Sequence, residues 1–475
     1  MRTLTFPDEF MFGAATAAFQ IEGGDPDDGR GRCIWDAFCE QPGRIDDGSN
    51  GLVACDHYHR MPEDVALMKS LGLQAYRFST AWSRVIPDGR TVNPKGIDFY
   101  SRLTDELLEA GITPWVTLYH WEMPEILQAE GGWTNRDISY RFADLASVLV
   151  DALGDRITYW TTLNEPWCAG PLSYAAGIHP PAHISPREGV SSVHHMLLGH
   201  GLAIQAMRAF GGDHKLGVTL STSYSHPADP DNPDDVDAAR RVDGAFMRMF
   251  LDPIFRAEYP ADVLEDMKEA GLGADSRDGD MGIISTPIDF LGINFYNGSV
   301  HAAALPGAMR EVHVTDDGYP ISSPVIGSEG VRPVFRDLPV TAMGWEVNAD
   351  DLELTLKRLH NDYLGPAGIP VYITENGAAY DDVADEDGFV DDSADRLAYI
   401  RDHIIAVHRS IEAGVDVRGY LAWSLLDNFE WTYGYTKRFG IVRVDYDTMK
   451  RTPKASALWY SDVARSHRLT IEEED

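Results

Sequence analysis

The sequence is poor in cysteine, in positive charge and in long apolar runs, and each shortage excludes something. Four cysteines in 475 residues (Cys33, Cys39, Cys55 and Cys168), with no Cys-x-x-Cys pair, make neither a disulfide framework nor a zinc ribbon. They read as reduced thiols in a cytoplasm. Lysine and arginine total 40 against 75 aspartates and glutamates, a formal charge of −35. Such a surface repels phosphate backbones and anionic lipid, so neither nucleic acid nor a membrane is expected as a partner. No stretch approaches the roughly 18 apolar residues of a membrane span. Met1–Asp8 lacks the apolar segment of a secretory leader, which again points to a cytoplasmic location.

What is present is an apolar fraction of 44%, enough for a large core, and the chain reads as a single domain over residues 1–475. Short apolar runs lie near 10–17, 74–79, 113–119, 158–163, 215–220, 288–294, 370–374 and 417–423, separated by amphipathic helical patterns. Leu397, Ile400, Ile404, Val407 and Ile411 line one helix face, and Gly414 ends it. Leu71-Gly72 and Ala110-Gly111 repeat that ending. Eight βα units in one chain predict an α/β fold, a (β/α)₈ TIM barrel, whose chemistry belongs at the C-terminal ends of the strands. The acidic runs Asp229–Asp237 and Asp381–Asp395 read as surface loops.

The residues at those strand ends are polar or aromatic. Gln20 and Glu22 follow the first run, Arg77 lies in the second with Trp82 beyond it, and His120-Trp121 follows the third. Asn164-Glu165-Pro166 ends the fourth, Asn294 and Tyr296 the sixth, Glu375-Asn376-Gly377 the seventh, and Trp423 the eighth, with Asp427 to Trp431 beyond. The fifth run offers nothing comparable. Sugars present hydroxyl rings and apolar faces, so a sugar site needs bidentate polar side chains and flat aromatic ones. Two glutamates on separate strands also meet the demand of glycoside cleavage, which uses a proton donor and a second carboxylate, about 5–5.5 Å apart when the reaction retains configuration. Arg77 and the Tyr296 hydroxyl are expected beside Glu375, where a cation and a donor favour the charged carboxylate. Cys55, His57 and His59 alternate as metal ligands do but lack a fourth ligand, and Asp275–Asp280 has too few oxygens for calcium. His194, His195 and His200 read as surface or satisfied core histidines.

Taken in order, these motifs resemble family 1 glycoside hydrolases, bacterial β-glucosidases among them. The resemblance rests on Phe10–Thr16, Tyr76–Ser79, Leu118–Trp121, Thr162–Pro166, Ile293–Tyr296, Ile373–Gly377 and Trp423–Trp431, and it covers essentially the whole chain. It implies a retaining, exo-acting β-glucosidase with Glu165 as acid/base and Glu375 as nucleophile. It implies a glycone pocket of Gln20, His120, Trp121, Asn164, Trp423, Glu430 and Trp431, an aglycone platform at Trp345, and a non-proline cis peptide between Trp423 and Ser424. No metal and no organic cofactor is implied, the substrate is a β-glucoside or short oligosaccharide, and either a monomer or a homo-oligomer is compatible. Phosphoglycoside-cleaving relatives replace the Glu-Trp pair, so Glu430-Trp431 points to an unphosphorylated sugar. The presence of both glutamates argues against a barrel that only binds sugar, and the closed pocket against an endo-acting cellulase. The segment Gly177–Ala182 departs from the family pattern and is expected to touch none of these residues.

Overall fold

The computed structural model describes residues 1–24 and 28–471. Its centre is a closed barrel of eight parallel strands: β1 Met11–Ala15, β2 Ala75–Ser79, β3 Thr113–Tyr119, β4 Tyr159–Asn164, β5 Lys215–Thr222, β6 Phe290–Phe295, β7 Val371–Asn376 and β8 Val417–Trp423. Each strand pairs with the next in sequence, and β8 returns to β1. Every expected run is one of these strands, with ends shifted by at most two residues. The strands read as apolar runs because both faces are covered, by helices outside and by packed side chains within.

The helices follow the same logic. Ala398–Glu412 buries Ile400, Ile404 and Val407 and gives way at Gly414, whose φ of 95° suits glycine. A second glycine is required by proximity: a Cβ on Gly377 would lie 1.7 Å from the Trp423 carbonyl oxygen, so only glycine lets the ends of β7 and β8 approach this closely. Arg2–Thr5 pairs with Arg468–Ile471 and ties the two ends of the described chain together.

The barrel interior changes character along its axis. Near the strand starts the rings of Trp115, Phe290 and Tyr372 pack edge to face, with centroids 4.9–5.6 Å apart. Threonine hydroxyls come next: Trp115 Nε1 donates to Thr161 Oγ1 at 2.9 Å, and Thr219 Oγ1 donates to Thr374 Oγ1 at 3.3 Å. Beyond them lie Asn164, Asn294, Glu375 and Arg77. An apolar floor under a polar mouth is what confines chemistry to one end.

Two expectations for the acidic runs are corrected. Asp229–Asp237 is a loop only in part, because Pro233–Asp243 is a helix capped by the Asn232 side chain, which accepts from Asp234 N at 3.1 Å. Asn-Pro followed by two aspartates is a good helix start, and the charge run concealed it. Asp381–Asp395 is not all surface either. Asp382 and Asp392 turn inward onto Arg396 at 3.0 and 2.5 Å, and Asp382 also meets Lys454. Lys454 in turn lies 2.7 Å from Asp427, which Arg438 grips at 2.6 Å. Three carboxylates and three cations thus neutralise one another under the loop after β8.

The histidines His194, His195 and His200 are all buried in the helix Pro186–Phe210, paired with Asp280 and Tyr259, with the Trp133 carbonyl, and with Thr162. They are core residues, none of them on the surface. Cys55 donates to the Asp427 carbonyl, His57 pairs with Asp64 and His59 with Asp56, so the alternating trio points three ways. Among the described residues all four cysteines are free, and no helix is long and apolar enough to cross a membrane.

Candidate active site

The C-terminal ends of the strands surround a cavity of about 460 Å³. Its floor is a hydrogen-bonded chain whose directions can be worked out donor by donor. Thr374 Oγ1 donates to Asn294 Oδ1 at 2.8 Å, which fixes the Asn294 amide with its Nδ2 upward. That Nδ2 donates to Glu165 Oε1 at 2.8 Å and to Asn164 Oδ1 at 3.0 Å. Arg77 forks between two partners, Nη2 to Asn164 Oδ1 and Nη1 to Glu375 Oε1, both at 2.6 Å. The Tyr296 hydroxyl donates to Glu375 Oε2 at 2.7 Å. With its oxygen accepting twice, Asn164 turns its Nδ2 to His120 Nε2, 3.1 Å away. His120 must accept there. Burial, aided by the Arg77 charge, holds it well below the ordinary histidine range, so it is neutral and carries its proton on Nδ1.

The two carboxylates sit in different surroundings within one pocket. Burial and then the charge of Glu375 push Glu165 up to about 7. Its donors are weak: the Asn294 amide and the Cys168 thiol, whose Sγ lies 3.2 Å from Oε2. Burial raises Glu375 too, but there Arg77, Tyr296 and Asn294 all pull the other way. A guanidinium and a phenol favour an anion more than an amide and a thiol do, so of the pair Glu375 holds the negative charge and Glu165 the proton. Glu430 is pushed up to about 8 by burial and the charge of Glu375, against a 3.3 Å hydrogen bond from Gln20 Nε2.

Around these groups stand rings. His120 stacks against Trp423 and Trp431 at 5.7 and 5.9 Å, and Trp121 leans on Trp431 at 4.7 Å. Trp345 packs on Tyr296 at 5.5 Å and lines the outer part of the cavity. Glu165, Trp121 and Trp431 all have positive φ, at 45°, 68° and 50°. Backbone strain at non-glycine residues is tolerated where the surroundings over-determine a conformation, and here three such positions converge on one cavity. The peptide between Trp423 and Ser424 is cis, as anticipated. Gln20 Oε1, beside Glu430, and His120 Nδ1, on the cavity wall, are among the buried polar atoms without a partner among the described residues. A free acceptor and a free donor both suit sugar hydroxyls, which donate and accept.

Of the residues expected at the site, His120, Trp121, Glu165, Tyr296, Trp345, Glu375, Trp423, Glu430 and Trp431 line the cavity, and Gln20, Arg77, Asn164 and Asn294 are hydrogen-bonded to members of that lining. Others were missed. His179 lies between Trp35 and Trp121, with centroids 5.1 and 5.3 Å away, so the departing segment Gly177–Ala182 does touch the aromatic wall. The fifth strand is not silent: Ser221, Thr222 and Ser223 line the cavity, with Ser225 beyond. Their signal is the hydroxyl-rich Ser-Thr-Ser-Tyr-Ser run at 221–225, which carries no charge to mark it. Cys168, in sequence one of four reduced thiols, is the one that reaches Glu165. Conversely, Trp82 is core, packed on Tyr119 and Phe142, and Glu22 pairs with Arg84 below the pocket.

The sequence profile of glycosyl hydrolase family 1 matches residues 2–469. The chain belongs to this family. It is a glycoside hydrolase on a (β/α)₈ barrel. It is similar to thermostable beta-glucosidase B of Thermobispora bispora, 47% identical over 98% of this chain and 92% of the relative. Beta-glucosidase A of Thermotoga maritima is 43% identical over 99% of this chain and all of the relative. Among solved structures, the psychrophilic beta-glucosidase BglU of Micrococcus antarcticus superposes with a TM-score of 0.92 at 51% identity, covering 98% of both chains. The Thermotoga maritima family 1 enzyme in complex with deoxynojirimycin superposes with a TM-score of 0.88 at 42% identity, over 98% and 99% of the two chains.

Proposed function

We propose that this family 1 hydrolase is a retaining, exo-acting β-glucosidase that removes terminal non-reducing β-D-glucosyl residues through a covalent glycosyl-enzyme. The observation that carries the reading is the pair of unequal carboxyls in one cavity, Glu375 supplied with Arg77 and Tyr296, Glu165 buried with only weak donors. In the first step Glu165 gives its proton to the glycosidic oxygen as that oxygen leaves the anomeric carbon, and a Glu375 oxygen forms the ester to the same carbon. Glu375 is then neutral, so the charge that held Glu165 protonated is gone. Glu165, now a carboxylate, takes a proton from water, whose oxygen attacks the anomeric carbon and releases Glu375.

In this reading Asn164 holds the 2-hydroxyl, where a hydrogen bond strengthens as charge develops on the ring. Gln20, His120, Glu430, Trp423 and Trp431 grip the rest of the glycone. Trp121 backs Trp431, and Trp345 forms the aglycone face. A carboxyl at Glu430 disfavours a 6-phosphate. Glucose is the glycone proposed, with related sugars within reach: a relative from Bifidobacterium breve, 42% identical, is named as a bifunctional beta-D-glucosidase/beta-D-fucosidase.

The test is product release from an aryl β-D-glucoside by wild type, Glu375→Gly and Glu165→Ala, with and without azide. Wild type turns over and both variants collapse. Azide rescues Glu375→Gly as the α-glycosyl azide and Glu165→Ala as the β-glycosyl azide. Opposite stereochemistry reverses the two roles, and variants with wild-type rates overturn the mechanism.

A further inference from the structure

The outer half of the cavity has two unlike walls. One is Trp345, presented by the turn at 339–347, where Thr341 N donates to the Trp345 carbonyl at 2.9 Å and Val347 N to that of Pro339 at 2.8 Å. The other is hydroxyl-bearing, with Ser225 and Ser299 on the paired strands Ser225–Pro227 and Ser299–Ala302. Behind both runs one chain of charged groups that the reaction does not use. The Glu346 carboxylate, next to Trp345, accepts from the backbone N of Arg336 and, at 3.0 Å, from its Nε. Arg336 Nη1 donates to Asp351 Oδ2 at 2.8 Å, and Asp351 Oδ1 lies 2.7 Å from Nε2 of His226, the residue after Ser225. Glu346 and Asp351 are both buried, so Arg336 is the cation on which two desolvated carboxylates depend.

We propose that Arg336 is a positioning residue for leaving-group recognition: by holding Glu346 and Asp351 together it sets the separation of the Trp345 face from the Ser225–Ser299 wall. It touches neither glutamate of the catalytic pair and reaches the substrate only through these walls. The inference rests on the β-glucosidase reading and adds a specificity determinant to it. A residue with this role affects the aglycone half of the slot and leaves the glycone half alone, which a residue that merely holds the fold together does not.

The experiment measures kcat/KM for cellobiose and octyl β-D-glucoside, and the inhibition constant of deoxynojirimycin, a glycone-sized ligand, for wild type, Arg336→Ala and the milder Glu346→Gln. The expected result for Arg336→Ala is a fall of about tenfold in kcat/KM on both substrates, the factor that about 1.4 kcal/mol of lost leaving-group contact corresponds to, with the inhibition constant within about twofold of wild type. Glu346→Gln moves the same way by less, and it serves as the reading if Arg336→Ala does not fold. Unchanged kcat/KM in both variants overturns the proposal, as does a parallel loss in substrate turnover and inhibitor binding. A wild type that cleaves neither glucoside overturns the β-glucosidase reading and this proposal with it. A wild type active on them beside variants that match it removes the proposal alone.

Discussion

The unequal carboxyls make a pH prediction whose sign follows from the surroundings of each. Glycosylation needs Glu165 protonated and Glu375 ionised. Glu165 is pushed up to about 7, by burial and then by the charge of Glu375. Its working form is the acid, so kcat/KM for a substrate that needs proton assistance declines on the alkaline side with a midpoint near 7 and then tenfold per further pH unit. Two pH units above the midpoint the rate has fallen about a hundredfold, a limb steep enough to measure. The assay is initial-rate kcat/KM on 4-nitrophenyl and on 2,4-dinitrophenyl β-D-glucoside between pH 5 and 9, for wild type and Glu165→Ala. The dinitrophenolate leaves without help, so the variant retains glycosylation of that substrate with no alkaline limb near 7, the limb that wild type shows on the 4-nitrophenyl glucoside. If Glu165→Ala keeps the wild-type limb, another group titrates there and the assignment of the proton to Glu165 is refuted. Glu430, pushed up to about 8, shares the cavity, and Glu430→Gln separates its titration from that of Glu165.

Other consequences are equally direct. Arg77→Gln leaves Glu375 buried without its cation, a loss of roughly 3–5 kcal/mol by the usual cost of breaking a buried pair, so kcat/KM on an aryl glucoside falls by roughly two to four orders of magnitude. Asp427→Asn removes a partner shared by Lys454 and Arg438 and lowers unfolding free energy by roughly the same amount, read in urea. Burial raises Asp427, but Lys454, Arg438 and Arg396 outweigh it and hold the carboxyl below its ordinary value. Its stabilisation is therefore full above the unfolded carboxylate value of about 3.9 and is lost as pH falls through the lower folded one, so the wild-type advantage over Asp427→Asn disappears in strong acid. The charge of −35 predicts a protein that stays in solution and active at molar salt, where the Debye length is about 3 Å. Precipitation or a sharp loss of activity in that range contradicts it.

Much of the barrel is legible in the chain because a parallel strand buried on both faces must be an apolar run, and a helix covering it must be amphipathic. Those constraints are local, and they located all eight strands. The polar ends of the runs pointed to Glu165, Glu375, Arg77 and Asn294, because a polar group at the rim of a buried strand is costly unless partnered, and the same signal also marked Glu22, which pairs with Arg84 instead. Where local signals were ambiguous, the reading went wrong for a physical reason. The aspartates of 381–395 look solvated until Arg396 and Lys454, distant in sequence, arrive to neutralise two of them. The serines after the fifth strand look like a plain loop until the barrel turns them toward Trp345.

What the amino-acid order determines alone is thus the inventory: eight strands, two glutamates, an aromatic rim and the excess of acid. What only the tertiary structure decides is the unlike chemistry of identical groups. Glu165 and Glu375 are the same residue type at similar strand ends. The guanidinium that separates them comes from β2, 298 positions before Glu375, and the amide that joins them comes from β6. Ionisation depends on desolvation and on charges within a few ångströms, and those are set by closure of the barrel, not by sequence neighbours.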